Sequence, residues 1–215
     1  GTGRVAAHLT NAGFEVWGLD TSEHMLECAR TKVGASGANW LSLNDMRAFE
    51  LGRTFELVIA AFGTFHLLLT PEDQLACLRC VRDHLTPGGL FAFDLRPWWF
   101  AAWDEGTSVP LQHEWSRTLP STGETVTKLA SSRADPAAQL QHETHIYDRL
   151  GTDGVLRRTV ATVDSRFSTR YEIEGLLTST GLELDQMYGD FELSPFDETS
   201  EYMITIARKA AEAPE

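Results

Sequence analysis

Apolar and polar positions follow two different periods along this chain. Up to about residue 95, helical periods alternate with short apolar runs at 14–20, 39–43, 55–61 and 90–95. The last two runs are nearly continuous, which is typical of parallel strands that are covered on both faces. Strands separated by helices of this size predict βαβ units around a parallel sheet.

Capping signals place helices between these strands. The second predicted helix begins after a cap at Thr21 or Ser22, and the third, 71–85, follows Thr70. Ser and Thr side chains satisfy the free amides at a helix start. The Thr-Pro-Gly-Gly segment at 86–89 then predicts a turn.

After residue 96 the period changes to two. The segments 111–119, 125–131, 140–150 and 155–167 alternate between apolar and polar residues, and breaks that contain Gly or Pro separate them. This pattern predicts an antiparallel meander of about four strands. The helical period resumes at 169–179.

Two strands, 182–188 and 201–208, are predicted near the end of the chain. The connection between them is too short for a crossover helix, so we expect them to pair antiparallel. The pattern therefore divides the chain into four parts: an α/β core at 1–96, an antiparallel β insertion at 97–168, a return to the core at 169–209, and a frayed tail at 210–215.

Composition narrows the class of partner. The chain is 42% hydrophobic and has a formal net charge of -13. A surface of this charge repels phosphate backbones, which predicts a small-molecule partner and not nucleic acid. No apolar stretch approaches the ~20 residues that span a bilayer, so we expect no membrane partner.

The cysteines do not indicate a metal site. Cys77 and Cys80 are spaced C-x-x-C, but no second pair of Cys or His residues completes a zinc site. We therefore expect buried thiols on one helix face and no bound metal. Three cysteines without a disulfide pattern also fit the reducing cytoplasm.

The start of the chain resembles a nucleotide site. Gly1-Thr2-Gly3 forms a glycine turn before a helix, and Asp20 ends the next strand. Such a turn lets backbone amides approach a ligand, and such an acid accepts hydrogen bonds from ribose hydroxyls. The same pair occurs in NAD sites and in S-adenosylmethionine sites, so by itself it does not select a cofactor.

Later segments favour one of the two cofactors. Asp45 and Met46 follow the apolar run at 39–43, where an acid can accept from an adenine amino group beside an apolar contact. The final antiparallel pair does not belong to a dinucleotide fold. Together these segments resemble the class I S-adenosylmethionine-dependent methyltransferases, in particular the small-molecule branch with a β-rich insertion after strand five. The matching segments are 1–30, 43–49, 55–69, 84–95, 170–197 and 201–209.

The resemblance implies a fold and a cofactor site. The fold would be α/β, with a doubly wound, mostly parallel sheet of the seven-stranded type and an antiparallel last strand. The residues expected to contact S-adenosyl-L-methionine are Gly1, Thr2, Gly3, Asp20, Thr21, Met25, Asp45, Met46, Ala61 and Phe62.

The resemblance also suggests where the acceptor binds. His66 follows the fourth family strand, where donor and acceptor meet, and a neutral imidazole there could take a proton from the nucleophile. The alternative is a structural histidine that hydrogen-bonds its loop. The expected acceptor-binding residues are His145, Tyr147, Arg166, Tyr171 and Trp99, and for each of them a structural role is the alternative.

The chain departs from the family at its front. The family has a strand ending in an acid and a glycine just before the position of Gly1, and this sequence contains none. A sheet without that strand would expose two unpaired edges. We therefore expect the sequence to be part of a longer protein, with a strand supplied by another chain as the alternative.

The resulting expectation is a cytoplasmic enzyme, a monomer or a homodimer. It would move a methyl group to an N, O or C nucleophile of a small molecule and release S-adenosyl-L-homocysteine. Two alternatives stay open: an NAD(P)-dependent oxidoreductase of the Rossmann type, and a non-catalytic module that has kept the methyltransferase fold.

Overall fold

A computed structural model of the chain describes residues 1–34, 40–97, 99 and 108–210. A 3₁₀ turn at Thr64–Leu67 follows the third strand. The helices and strands are, in chain order, α1 Arg4–Asn11, β1 Gly18–Asp20, α2 Glu23–Val33, β2 Leu41–Leu43, β3 Phe55–Ala60, α3 Pro71–Asp83, β4 Leu85–Leu95, β5 Ser108–Thr118, β6 Thr125–Asp135, β7 Leu140–Leu150, β8 Leu156–Arg166, α4 Arg170–Ser179, β9 Leu182–Tyr188 and β10 Met203–Lys209.

The α/β part contains two hydrogen-bonded groups of strands. One group is the parallel pair β1–β2, and the other is a four-stranded sheet in the order β3-β4-β10-β9. β3 and β4 are parallel, whereas β10 is antiparallel to both β4 and β9. The parallel βαβ pattern and the antiparallel terminal pair thus follow the predicted arrangement. Among the described strands, no backbone pairing joins the two groups into one continuous sheet.

Aromatic residues form the centre of the main core. Phe65, Phe91 and Phe93 are at most 2% exposed, and their ring centroids lie 4.8–4.9 Å apart from one to the next. Leu78 from α3 and Leu177 from α4 belong to the same core, so both helices pack on this sheet. Burial of these large apolar side chains is the main source of stability for this part of the chain.

Side-chain caps start three of the helices. Ser22 accepts from the Met25 amide at the start of α2, and Thr70 accepts from Asp73 at the start of α3. At α4, Thr169 and Glu172 form a reciprocal capping box. Ser22 is thus the cap of α2, and Thr21 is not. α3 ends at Asp83, two residues before the predicted end.

Two predicted boundaries need correction. The segment 86–89 is not a turn between elements but a bulge within β4, because pairing passes from Phe55–Leu85 directly to Leu57–Leu90. The predicted strand at 14–20 is reduced to Gly18–Asp20. Among the described residues, β1 pairs with β2, and their ladder has three residue pairs.

The period-two segments form a separate four-stranded antiparallel sheet in the order β5-β6-β7-β8. β6–β7 and β7–β8 pair in continuous register, while β5–β6 contains irregularities. His145 and Tyr147 are two residues apart on β7 and share one face of this sheet.

No helix in the described part of the chain is both long and apolar enough to cross a bilayer.

Close packing at a glycine sets the position of α1. Gly3 has a left-handed φ of 73° and precedes the first turn of α1. A Cβ atom added there would lie 2.8 Å from the Cα atom of Ala29 on α2. Ala29 belongs to a second small core with Leu26, Val33 and Leu41, so the glycine lets α1 approach that core.

We predict that Gly3→Ala destabilises the fold by about 2–4 kcal/mol, because it adds a clash with Ala29 to the strain of a left-handed residue. The control is Gly13→Ala, where φ is also positive (91°) but nothing lies within 4 Å of the added Cβ. The measurement is the free energy of unfolding in urea. Equal losses in the two variants would contradict the packing argument.

Candidate active site

Contacts between the two strand groups show that the ends of β1 and β3 lie at one edge. Trp17, just before β1, packs edge-on against Phe55 at the start of β3, with ring centroids 6.2 Å apart. At the other end, the guanidinium carbon of Arg4 lies 4.0 Å from the centre of the Phe62 ring. The glycine turn and the loop after β3 are therefore neighbours, joined by a cation–π contact.

Asp20 lies directly beside the glycine turn. Its carboxylate lies against the backbone nitrogen of Gly1 and accepts a 2.8 Å hydrogen bond from the Ser22 amide. Burial by itself would raise the pKa of Asp20, whereas hydrogen bonds from the backbone amides of Ser22 and Thr21 favour the charged form and lower the pKa. Asp20 is therefore ionised at neutral pH, with 22% of its side chain exposed. Thr21 is exposed and Met25 is 40% exposed, so both neighbours are open to a ligand.

Asp45 also lies at this edge, but its carboxylate is already bound by another side chain. The Asn44 amide donates to the Asp20 carbonyl at 3.1 Å, which joins the ends of β1 and β2. The Arg47 guanidinium binds the Asp45 carboxylate at 2.7 Å and reaches Asp73 at 3.1 Å. Hydrogen bonds from the Arg47 side chain and amide lower the pKa of Asp45. An adenine amino group would thus share this carboxylate with Arg47.

Met46 is half-buried and packs on the main core. The side chain of Met46 therefore supports the loop from beneath and does not stand free at the edge.

The loop after β3 has an unusual backbone that one carboxylate holds. Phe62 and Gly63 both have positive φ, 61° and 67°. Their amides donate to the two oxygens of Asp94 at 2.6 and 2.9 Å. The Ala61 carbonyl accepts from the Thr64 hydroxyl at 2.7 Å, and the Phe62 ring is 62% exposed. A positive φ is unfavourable for a phenylalanine, so this loop depends on Asp94.

Sequence reasoning missed Asp94. The residue lies in the run 90–95, which the apolar pattern predicts as a buried strand. It is only 7% exposed on β4. A carboxylate in a strand buried on both faces needs hydrogen-bond donors from elsewhere. The acid within this apolar run could therefore have indicated that Asp94 binds a neighbouring loop.

His66 is held by backbone groups at both ring nitrogens. Nε2 accepts from the Arg96 amide at 2.7 Å, so Nδ1 carries the proton and donates to the Arg166 carbonyl at 2.7 Å. Burial lowers the pKa of His66, and the charges of Asp94 and Glu143 oppose this only in part. The ring is therefore neutral, but no lone pair is free to take a proton. The geometry favours the structural alternative over general-base catalysis.

Arg166 has a structural role in place of the predicted contact with the acceptor. The side chain is 7% exposed. Its guanidinium donates to Gln139 Oε1 at 2.5 Å and to Glu172 at 2.8 Å, so it links the β6–β7 turn to the start of α4. These partners already bind the guanidinium group that would have to contact a ligand.

The other predicted acceptor residues lie in two places. His145 and Tyr147 are half-buried on the β5–β8 sheet, where Tyr147 packs 6.5 Å from Trp115. Trp99 and Tyr171 instead line a cavity of about 440 Å³ beside the start of α4. Trp98 and Trp103, which could have joined this wall, lie outside the described residues.

The thiols are placed in or near the core. Cys77 is buried, and its burial raises its pKa to about 12. The thiol of Cys80 donates to the Arg47 carbonyl. Within residues 1–34, 40–97, 99 and 108–210, no group of three His, Cys, Asp or Glu side chains is arranged to hold a metal ion.

We predict that Asp94→Ala lowers the free energy of unfolding by about 1–3 kcal/mol, because two partly buried amides lose their acceptor. Asp94→Asn keeps one acceptor oxygen and should lose less. Chemical denaturation of both variants tests the assignment. Equal losses below about 0.5 kcal/mol would show that the loop does not depend on the carboxylate.

A second prediction concerns the pH dependence of stability. Because the folded pKa of His66 is lowered, the unfolded state binds more protons as the pH falls through about 6.5. Stability should therefore drop with falling pH in this window, by up to about 1.4 kcal/mol per pH unit. His66→Gln should flatten this slope between pH 7.5 and 5.5, whereas His24→Gln, at a side chain 81% exposed, should not. An unchanged slope in His66→Gln would contradict the burial argument.

Known proteins are similar to this chain in sequence and in fold. A family model described as "Methyltransferase domain" matches residues 1–89. The chain is 30% identical over 190 residues to dTDP-3-amino-3,6-dideoxy-alpha-D-glucopyranose N,N-dimethyltransferase of Streptomyces fradiae, covering 88% of this chain and 69% of the relative. It is also 30% identical over 156 residues to dTDP-3-amino-3,4,6-trideoxy-alpha-D-glucopyranose N,N-dimethyltransferase of Streptomyces venezuelae. That match covers 68% of this chain but only 64% of the relative.

A solved structure extends the similarity to the fold. The CcbJ methyltransferase from Streptomyces caelestis is 31% identical, with a TM-score of 0.80 over 98% of this chain and 81% of that chain. The glycine turn, the acid that ends β1 and the antiparallel terminal pair are thus found in a chain with established methyltransferase relatives. The chain belongs to the class I S-adenosylmethionine-dependent methyltransferases.

Proposed function

We propose that this protein methylates an amino group of a small molecule, with S-adenosyl-L-methionine as the methyl donor. The observation that carries the proposal is the edge where the glycine turn, the ionised Asp20 and the loop after β3 meet. The relatives named as N,N-dimethyltransferases favour nitrogen over oxygen or carbon as the nucleophile.

The residues at this edge fit the cofactor. Asp20 offers an ionised, partly exposed carboxylate for ribose hydroxyls, and the exposed Thr21 and Met25 flank it. Gly1, Thr2 and Gly3 bring backbone close to the same place. Phe62 offers an exposed ring, and Ala61 precedes it in the same loop.

The fold divides into a donor part and an acceptor part in this proposal. Residues 1–96 and 169–209 form the cofactor-binding core, whose six strands take the places of the second to seventh strands of a methyltransferase sheet. Residues 97–168 cover the acceptor site, with His145 and Tyr147 on the face that also bears Glu143.

In this proposal the protein accelerates methyl transfer mainly by aligning the donor with the acceptor. The bound sulfonium supplies an electrophilic methyl group. Asp20 and the glycine turn hold the donor at one position. Asp94 holds the conformation of the loop after β3, beside which the acceptor must bind. Placing two reactants in line and excluding water accounts for a large rate gain without a covalent intermediate. His66, with both nitrogens bonded, acts as a positioning residue that joins this loop to β8.

We predict that S-adenosylhomocysteine binds the protein and that NAD does not. Asp20→Asn should weaken S-adenosylhomocysteine binding about 10- to 100-fold, because charged hydrogen bonds to the ribose are lost. The control is Asp185→Asn, which changes the same charge at a surface pair with Arg208. Titration calorimetry measures all three proteins. Binding of NAD alone would favour the oxidoreductase, and binding of neither would favour the non-catalytic module.

A further inference from the structure

A groove beside the start of α4 is lined by none of the residues proposed to bind the cofactor. It has a volume of about 440 Å³, and its walls come from the segment after β4, the start of α4 and the hairpin between β9 and β10. The residues that define it are Pro97, Trp99, Tyr171, Phe196, Asp197 and Glu198.

The groove adjoins the loop after β3. Pro97 directly follows Arg96, whose amide binds His66. Met203, at the groove, pairs with Leu95 at the carboxyl end of β4. β3 is parallel to β4, so its carboxyl end with Phe62 lies at the same edge of the sheet. A molecule in the groove is thus beside the loop that faces the donor.

Aromatic rings form one wall of the groove. The Trp99 ring stacks on Phe196 with centroids 5.8 Å apart, and its indole N–H donates to the Ser200 carbonyl at 3.3 Å. Tyr171 is 79% exposed at the rim. Fixed aromatic faces of this kind attract the C–H groups of a saturated ring and attract cations.

Carboxylates dominate the charge of the groove. Asp197 and Glu198 line it, and hydrogen bonds from Thr199 and Ser200 lower the pKa of Asp197, so this acid is ionised at neutral pH. Arg170 also lines the groove, but its guanidinium pairs with Glu174 at 2.7 Å. The hairpin at 189–202 contains no Lys or Arg, and its acids are Asp190, Glu192, Asp197, Glu198 and Glu201.

We propose that this groove receives the methyl acceptor and selects a cationic amine on an apolar or sugar ring that carries no phosphate. This rests on the proposed function and narrows its substrate class. The acids attract the ammonium form, the aromatic wall holds the ring, and a diphosphate would be repelled. This chain therefore differs in acceptor from the relatives that are named for dTDP-linked amino sugars.

The reaction balances without a further co-reactant. The bound ammonium releases one proton to solvent water, and the nitrogen lone pair then attacks the methyl carbon. The N–C bond forms as the C–S bond breaks, and the positive charge passes from sulfur to nitrogen. S-adenosylhomocysteine leaves as the neutral thioether, and the methylated ammonium is the product.

Binding to simple probes tests the selectivity directly. Benzylammonium and benzyl phosphate are titrated into the S-adenosylhomocysteine-saturated protein and followed by ligand-observed NMR. We expect benzylammonium to bind at least tenfold more tightly. Glu198→Gln should reduce this preference at least threefold, and Trp99→Ala should abolish binding. Glu192→Gln, which removes the same charge from the same hairpin outside the groove, should leave the preference unchanged.

Methyl transfer provides the second test. The substrates are the methyl glycoside of 3-amino-3,6-dideoxyglucose and the dTDP ester of the same amino sugar. A higher kcat/KM for the free glycoside supports the proposal. It is overturned if the dTDP ester is preferred, if benzyl phosphate binds as well as benzylammonium, if neither probe binds, or if Glu192→Gln and Glu198→Gln act alike. Affinity for S-adenosylhomocysteine, measured on the same samples, tests the proposed function separately.

Discussion

The buried carboxylate of Asp94 determines the shape of the candidate active site. It binds the amides of Phe62 and Gly63, which would otherwise have no reason to adopt two successive left-handed conformations. This backbone presents the Phe62 ring to Arg4, so the loop after β3 meets the helix of the glycine turn. One hydrogen-bonded acid on β4 thereby connects the two groups of strands at the edge where donor and acceptor would meet.

The same region explains how the antiparallel sheet is attached to the core. His66 bonds the Arg96 amide after β4 and the Arg166 carbonyl at the end of β8. The side chain of Arg166 continues the link to Glu172 in the cap of α4. These are bonds between groups far apart in the chain, and they hold the two sheets together. His66 therefore connects strands of the two sheets, and neither of its ring nitrogens is free to take a proton. Alignment of the reactants accounts for the chemistry better than proton abstraction by this ring.

Negative charge is concentrated at the groove beside the start of α4. Asp197 and Glu198 face a groove with an aromatic wall. The charged residues of the hairpin around them are all acidic. In our proposal the acceptor binds beside the hairpin between β9 and β10 and the donor binds at the glycine turn, so a loop of this kind can change acceptor preference without any change in the core.

Local patterns in the sequence by themselves determined the βαβ order, the cap at Thr70, the antiparallel terminal pair, and Asp20 beside the glycine turn. Each of these depends on residues close in the chain or on the period of a single strand or helix. Tertiary structure alone decided that Asp94 supports the loop, that both nitrogens of His66 are bonded, and that Arg47 joins Asp45 to Asp73. It also decided that Trp99 and Asp197 share a groove. These contacts join residues about 30 to 100 positions apart or depend on which face of an element is buried, and no local period records that choice.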